Sequence, residues 1–123
     1  MSGNTVSEHA IKRIGTDQVE AEAYMPDQEK IVAGNPAQLI WHCYDNRDET
    51  FGAGIWQGEP GSHKVNYTEE EVCFLLEGKV IVSDDDGNEI TLNKGDMFAV
   101  PAGFSGVWTT VETAKKLYVI YEK

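Results

Sequence analysis

The sequence predicts an all-β fold, a small antiparallel β-barrel, from three observations. Residues 95–104 contain a glycine turn, a short apolar run and a Pro-x-Gly corner that ends the run. Residues 71–78 begin with a carboxylate, continue as an apolar run and end in glycine. From residue 37 onwards, short apolar runs alternate with turn residues, and no segment past Asn35 keeps a helical period. Short strands and tight corners of this kind are typical of a barrel that encloses a pocket.

The individual strands follow from the turn residues that separate the apolar runs. The predicted strands are residues 37–44, 51–57, 64–68, 72–76, 79–83, 89–92, 97–100, 105–110 and 115–121. Residues 84–88 predict a tight hairpin, because their Asp-Gly pair supports positive φ angles. Residues 1–30 are polar and weakly patterned, and they predict an N-terminal arm that lies across the domain or adds an edge strand. Residues 31–123 then form a single domain.

Composition narrows the classes of function. The chain has 123 residues, enough for one hydrophobic core, and 21 Asp and Glu against 10 Lys and Arg give a net charge of −11. Such an acidic chain repels phosphate backbones and anionic lipids. We therefore expect no nucleic-acid partner and no membrane partner. No apolar run has the length of a membrane span, and no signal peptide is expected. Cys43 and Cys73 lie in apolar segments, which indicates small core residues in a reducing cytoplasm.

Two gapped motifs carry a resemblance to a known family. Gly58, Glu71 and Gly78 fit the pattern G-x5-H-x-H-x4-E-x6-G, with Lys64 and Asn66 at the histidine positions. In the second pattern, G-x5-P-x-G-x2-H-x3-N, the matched residues are Gly95, Pro101 and Gly103, whereas Gly106 and Thr110 stand at the histidine and asparagine positions. The chain therefore resembles the cupins, whose fold is a jelly-roll β-barrel, also called a double-stranded β-helix. The resemblance implies a cupin jelly-roll barrel preceded by an N-terminal arm.

A narrower set of residues is similar to one subgroup, the short single-domain cupins related to ureidoglycine aminohydrolase. The matching segments are Gly54-Ile55-Trp56, Pro60-Gly61, Tyr67, residues 71–78, Gly95-Asp96, residues 101–104, Trp108 and Lys116-Leu117-Tyr118. This resemblance implies a hydrolase or lyase that acts on a small polar nitrogen-containing metabolite. That family uses a metal ion, but three of the four ligand positions here hold Lys64, Asn66 and Gly106. We therefore expect no cofactor and no tightly held transition metal, and weak divalent binding remains open.

Glu71, Tyr67 and His63 are the candidate catalytic residues. Glu71 shares a strand face with Cys73 and Leu75, so its carboxylate would project among apolar neighbours as a proton acceptor or a polar anchor. The alternative is a structural role for Glu71, in a pair with Lys64 or with a backbone amide. The register of the strand before it allows two arrangements: either Lys64 and Asn66 face inward, or His63, Val65 and Tyr67 do. The second is favoured, because an unpaired buried lysine is costly.

Four further residues are expected to line the pocket. Trp56 and Trp108 are large aromatic residues on strands, and core packing is the alternative for both. Cys73 lies beside Glu71 as an inert packed thiol or a reactive one. His42 either faces the pocket or is a structural histidine.

Two functions follow from these residues: an enzyme acting on a small molecule, or a non-catalytic cupin that binds or senses one after losing its metal site. The outward residues Val72, Phe74 and Leu76 are too apolar to stay in water, so a homodimer is expected.

Overall fold

The computed structural model describes residues 9–123, which form nine β-strands and one turn of 3-10 helix at Gln28–Lys30. The strands are β1 (Glu22–Tyr24), β2 (Ile31–Gly34), β3 (Gln38–Asp45), β4 (Phe51–Gly58), β5 (Gly61–Asn66), β6 (Glu70–Asp84), β7 (Glu89–Asn93), β8 (Met97–Val100) and β9 (Ser105–Tyr121). All strand pairs run antiparallel. No helix within residues 9–123 has the length and apolar character needed to cross a membrane.

Strands β6 and β9 hold the two layers of the barrel together, because each belongs to both. The first half of β6 pairs with β8 and with the second half of β9, and its second half pairs with β7 and the first half of β9. The remaining strands follow the order β1-β3-β4-β9-β5-β2. The ring of Trp56 on β4 meets that of Trp108 on β9 edge-on, with 5.4 Å between centroids, so the two layers close over a shared interior. The all-β class and the jelly-roll architecture are thus confirmed.

Glycine is required where β6 passes from one layer to the other. Gly78 has φ +87°, and a β-carbon added there would overlap the carbonyl oxygen of Thr113 on β9. The β6–β9 register shifts between Leu75 and Val80, which marks a bulge at this point. The bulge turns the strand without ending it.

The core follows from the alternation along these strands. On β6, the buried side chains are Glu71, Cys73 and Leu75 before the bulge and Val80 and Val82 after it. These side chains face the interior together with Trp56, Trp108, Ala114 and Tyr118. The interior is therefore lined by apolar and aromatic residues, with one carboxylate among them.

The observed elements differ from the predicted strands at four places. The segments 72–76 and 79–83 are one strand, β6, and 105–110 and 115–121 are one strand, β9, so both predicted breaks were wrong. Strand β2 precedes the first predicted strand, and β5 spans Gly61–Asn66 where residues 64–68 were predicted. Strand β1 lies at a sheet edge against β3, which agrees with the edge strand considered for the N-terminal arm. The predicted hairpin at 84–88 is confirmed, since it joins β6 and β7 with Gly87 at φ +89°. The domain boundary at residue 30 stays a prediction.

Candidate functional site

A cavity of about 530 Å³ opens at one end of the barrel, between the two layers. Its wall combines side chains of β3, β4, β5, β6 and β9 with Tyr24 at the end of β1 and with the segment that follows it, including Asp27 and Lys30. Among the predicted site residues, those that line it are Trp56, His63, Tyr67, Glu71 and Trp108. Residues far apart in the sequence are thus brought to one cavity, because the strands of a jelly roll cross between layers.

A buried ion pair forms the floor of this cavity. The carboxylate Oε2 of Glu71 lies 2.9 Å from Nζ of Lys116, and the two residues are only 7% and 5% exposed. Lys116 is on β9, which runs beside β6, and both side chains line the cavity. The structural alternative considered for Glu71, a pair with Lys64, is not what is found, because Lys64 is exposed. The partner of Glu71 is a lysine that the sequence did not single out.

Two indole rings surround the ammonium group of Lys116. Its Nζ lies 4.3 Å from the ring centroid of Trp108 and 5.1 Å from that of Trp56. A cation over the face of an indole is attracted by the negative face of the ring, and this attraction grows when water is excluded. The rings and the carboxylate together compensate a charge that would otherwise be expensive to bury.

These contacts fix the protonation state of Lys116. Burial by itself lowers the pKa of a lysine, but the attraction of Tyr67, Glu71 and Cys73 in their anionic forms, with the hydrogen bond to Glu71, outweighs it and raises the pKa of Lys116. Glu71 is the partner that acts near neutral pH, because Tyr67 and Cys73 are then protonated. Lys116 is therefore a fixed cation, which excludes it as a neutral amine nucleophile near neutral pH.

Cys73 is hydrogen-bonded to the carboxylate of Glu71 and does not line the cavity. Its thiol donates a hydrogen bond to Oε2 of Glu71 at 3.0 Å, and the residue is almost completely buried. Burial, together with the negative charge of Glu71, raises the pKa of Cys73 to about 12, although Lys116 opposes the shift. A thiol that stays protonated is a poor nucleophile, so packing and hydrogen bonding account for Cys73.

Tyr67 adds a neutral phenol to the cavity. Its ring packs edge-on against Phe104 at 6.3 Å, and the side chain lines the wall beside Glu71. Burial raises its pKa to about 12. Tyr67 is therefore an O–H donor near neutral pH.

His63 is buried on the same side of β5 as Val65, and Lys64 and Asn66 are exposed, which matches the second of the two registers considered. Its Nε2 lies 3.4 Å from Nε2 of Gln38, whose Oε1 accepts a hydrogen bond from the indole of Trp56 at 2.7 Å. Burial, reinforced by the charges of Lys116 and Lys30, lowers the pKa of His63. His63 is thus a neutral imidazole in the cavity wall.

His42 lies one side chain behind the cavity. Its Nδ1 is 2.5 Å from the hydroxyl of Tyr118, and its Nε2 is 2.8 Å from Oδ1 of Asp45. Tyr118 lines the cavity and His42 does not. A register shift between His42 and Tyr44 ends the alternation of β3 at this point. His42 therefore positions the hydroxyl of Tyr118 and does not itself reach a ligand in the cavity.

The side chains at the motif positions do not fit a transition-metal ion. Lys64 and Asn66 are exposed, Gly106 has no side chain, and the remaining carboxylate, Glu71, already carries an ammonium ion at 2.9 Å. A β-carbon at Gly106 would overlap the carbonyl oxygen of Ser83, so the backbone of β9 leaves no room for a histidine there. Within residues 9–123, no three His, Cys, Asp or Glu side chains are grouped as metal ligands would be.

Sequence reasoning missed Lys116, Gln38 and Tyr24. Lys116 follows another lysine, so the pair looks like a solvated surface, yet Ala114, Tyr118 and Ile120 share its side of the strand. This alternation of buried and less buried residues along β9 could have identified Lys116 as an inward-facing residue. Gln38 and Tyr24 gave no such signal, since their roles depend on contacts with Trp56 that only the pairing of β1, β3 and β4 creates.

Solved structures that are similar to this chain share its fold. A DUF861 family protein of unknown function from Pseudomonas syringae pv. tomato matches 94% of the chain with 22% identity and a TM-score of 0.73. The chain spans only 46% of that protein. The EutQ protein of Clostridium difficile matches 80% of both chains with 16% identity and a TM-score of 0.63. A DUF861 family protein from Thermotoga maritima has 25% identity over 80% of this chain and 97% of its own, with a TM-score of 0.51.

The comparison with curated proteins finds no match. The family model described as EutQ-like cupin domain matches residues 45–118, from the end of β3 to Tyr118 on β9. This range is more than half of the chain and contains Glu71, Lys116 and both motif regions. The chain therefore belongs to the EutQ-like cupin family.

Proposed function

We propose that this cupin binds a small polar metabolite in its barrel cavity without using a transition-metal ion. The observation that carries the proposal is the Glu71–Lys116 pair, in which an ammonium ion already lies against the carboxylate at the cavity floor. The cavity volume of about 530 Å³ falls within the range of small-molecule sites, roughly 300–1,000 Å³. Its wall combines aromatic rings with a few polar groups, as such sites do.

The polar groups of the wall favour a ligand with both hydrogen-bond acceptors and donors. Tyr67 and Lys116 can donate, and Glu71 can accept. Trp56 and Trp108 offer flat surfaces for the apolar part of a ligand. A small amide or amino acid-like molecule would satisfy such a set.

The proposal is tested with purified protein dialysed against chelator. A thermal-shift screen of small polar metabolites identifies ligands, and titration calorimetry then compares the wild type with Tyr67→Phe. We expect the variant to lose about tenfold in affinity, about 1.4 kcal/mol, since it lacks only the hydroxyl. Tyr44→Phe is the matched control, because Tyr44 packs against Phe51 outside the cavity and should bind like the wild type. A ligand response that disappears with chelator and returns with zinc, iron, manganese or nickel would contradict the proposal.

A second candidate is catalysis at the same site, of the hydrolase or lyase type related to ureidoglycine chemistry. The observation in its favour is that Glu71, a proton acceptor, and Tyr67, a neutral proton donor, line one cavity beside the fixed cation Lys116. Catalysis of this kind is measured as the release of ammonia from ureido and amino compounds. If the protein is an enzyme, the wild type should turn over a substrate, and the rate should fall in both Glu71→Gln and Tyr67→Phe. Saturable binding without turnover would contradict catalysis and support the binding function only.

We propose the cytoplasm as the location of this protein. Both cysteines, Cys43 and Cys73, are free thiols, which suits a reducing compartment. Fractionation of the source cells with an antibody against the chain measures the location, and recovery outside the cytoplasmic fraction would contradict it.

A further inference from the structure

Two glycines of β4 make room for a row of three polar side chains, those of Asp45, His42 and Tyr118. Gly52 lies opposite Asp45 in the sheet, and Gly54 lies between His42 and Tyr118. A β-carbon at Gly52 would lie 2.9 Å from both Oδ1 of Asp45 and Cε1 of His42. One at Gly54 would lie 2.6 Å from the hydroxyl oxygen of Tyr118. The three side chains can therefore meet because β4 carries no side chain at these two positions.

The hydrogen bonds along this row determine the direction in which the hydroxyl of Tyr118 donates. The carboxylate of Asp45 can only accept, so Nε2 of His42, 2.8 Å away, carries a proton. In a neutral imidazole the other nitrogen then has no proton, and Nδ1 of His42 accepts the one on the Tyr118 hydroxyl. Because that proton is committed to His42, the hydroxyl has only lone pairs left and can serve another molecule solely as an acceptor.

The hydroxyl of Tyr118 lies on the cavity side of β4. Residues 54 and 56 share one face of the strand, because alternate residues do, and Trp56 lines the cavity from that face. The hydroxyl lies in the space into which a side chain of residue 54 would project. Tyr118 is itself part of the cavity wall, whereas His42 and Asp45 are not, and their side chains are 33% and 46% exposed. The row therefore runs from the cavity wall to solvent.

The groups around Tyr118 keep its hydroxyl protonated. Burial raises the pKa of Tyr118, and titratable groups on three strands modify this shift. Those that raise it further are Cys43 and Asp45 on β3 and Glu71 on β6, and Lys116 on β9 opposes them. Strand β4 has only glycine beneath the row. A ligand therefore meets a neutral phenol oxygen.

We propose that Tyr118 is the acceptor in the cavity wall for an N–H group of the ligand, and that His42 and Asp45 hold it in this role. The inference rests on the proposed function, since it names a ligand group that the same cavity recognises. An N–H group can only donate, so it fits an acceptor, whereas a ligand carbonyl fits a donor. His42 and Asp45 are positioning residues, and Tyr118 is the residue that contacts the ligand.

The direction of these hydrogen bonds is measured without any ligand. Long-range ¹H–¹⁵N spectra of labelled protein distinguish the Nε2–H, Nδ1–H and imidazolium forms of His42, and His42→Leu identifies its signals. We expect the Nε2–H form at about pH 8, where imidazole side chains are ordinarily neutral. When His42 takes up a proton at lower pH, its Nδ1 becomes a donor and the Tyr118 hydroxyl must turn. The ¹³Cζ signal of Tyr118 should then move, and it should stay constant in His42→Leu. An Nδ1–H or imidazolium form at about pH 8 would overturn the proposal.

The ligand group is measured with acetamide and acetone as probes. The two molecules are similar in size and share a carbonyl, but only acetamide has N–H groups. We expect acetamide to shift the indole N–H signals of Trp56 and Trp108 saturably and to bind about tenfold more tightly than acetone, as one added hydrogen bond would give. Equal binding of the two probes, or no saturable response to acetamide, would overturn the assignment of an N–H group. The proposed function would still stand if other polar metabolites bind in the screen.

Three variants test the role of Tyr118 in this preference. Tyr118→Phe lacks the oxygen, and His42→Leu retains it but leaves its proton free to donate into the cavity. Both should lose the preference for acetamide. Tyr44→Phe is the matched control and should keep it, because Tyr44 packs against Phe51 outside the cavity. A preference that persists in Tyr118→Phe would contradict the proposal.

Discussion

Lys116 supplies a permanent positive charge to the cavity of a barrel with a net charge of −11. The charge is compensated on three sides, by the carboxylate of Glu71 and by the faces of two indoles. Such a pair is stable only while both members are present, because each one alone would be a buried charge. The residue and its partner must therefore be considered together.

Breaking this pair is the first prediction. Lys116→Met or Glu71→Gln alone should lower the free energy of unfolding by about 3–5 kcal/mol, since each leaves one buried charge without its partner. The double variant should recover most of that loss, because a neutral pair of similar size has no charge to desolvate. Urea titration of the three variants measures the coupling.

Lys115→Met is the matched control for this cycle. Lys115 precedes Lys116 on β9 but lies over Trp41, 5.9 Å from its ring centroid, away from the cavity. Its loss should change the free energy of unfolding by about 1 kcal/mol or less. Additive losses in the double variant would show that Glu71 and Lys116 do not stabilise each other.

Glu71 and Lys116 also show how much of the site the sequence could predict. The position of Glu71 at the start of an apolar run pointed to an inward carboxylate, and the structure shows it buried. Its partner could not be chosen from the sequence, because only the pairing of β6 with β9 brings residues 71 and 116 together on neighbouring strands. The hydrogen bonds of Gln38 depend on the same kind of long-range packing.

At the scale of elements, β9 approaches β6 closely at Gly106. A β-carbon there would overlap the carbonyl oxygen of Ser83 and lie 3.0 Å from the α-carbon of Asp84. The second prediction is that Gly106→Ala lowers the free energy of unfolding by about 1–3 kcal/mol, since both obstacles are backbone atoms. Chemical denaturation checks this, with Ser105→Ala on the same strand as control. If Gly106→Ala were as stable as the wild type, the prediction would be contradicted, because β6 and β9 could then move apart at little cost.

The strand pattern explains which elements were predictable. Hydrophobic runs bounded by Gly and Pro located β3, β4, β7 and β8 well, because both ends carry turn chemistry. Gly78 was interpreted as a turn between two strands, although it is a bulge inside β6, and a glycine with positive φ serves in either. Strand β2 was not predicted because it has only four residues, and three of them are exposed, so it shows no alternation of buried and exposed positions.

For the whole molecule, the third prediction concerns alkaline pH. Burial raises the pKa of Cys73 from 9.0 and that of Tyr67 from 10.0, both to about 12. The pKa of Lys116 is raised as well, by the attraction that outweighs its burial. In the unfolded chain these groups lose protons earlier than in the folded one, so the unfolded state binds fewer protons and stability falls with rising pH.

The free energy of unfolding should therefore decline as the pH rises through 9.0 to 10.5, the ordinary pKa values of the three side chains. Urea titrations at a series of pH values measure the slope. Tyr67→Phe and Cys73→Ser should each make the decline shallower, because one titrating group is gone. A flat profile over this range in the wild type would contradict the prediction.

The fourth prediction concerns assembly, and we propose a homodimer. Val72 and Met97 are 57% and 74% exposed, and the β6–β8 register places Val72 opposite Ala99 and Phe74 opposite Met97. This outer face is apolar across two neighbouring strands, and a second copy would supply an identical apolar face. Light scattering at micromolar concentration should give twice the monomer mass of 13.6 kDa. Val72→Lys should give the monomer mass; a monomeric wild type would contradict the proposal.

The placement of the tryptophans gives the protein a built-in optical reporter. The chain has three tryptophans, of which Trp56 and Trp108 line the cavity and Trp41 lies outside it beneath Lys115. Indole emission responds to nearby charge and to water, so a molecule that enters beside Lys116 changes the fluorescence of two rings and leaves the third as a constant background. Ligand entry can thus be followed in unlabelled protein, and Trp41→Phe would remove the background without touching the cavity wall.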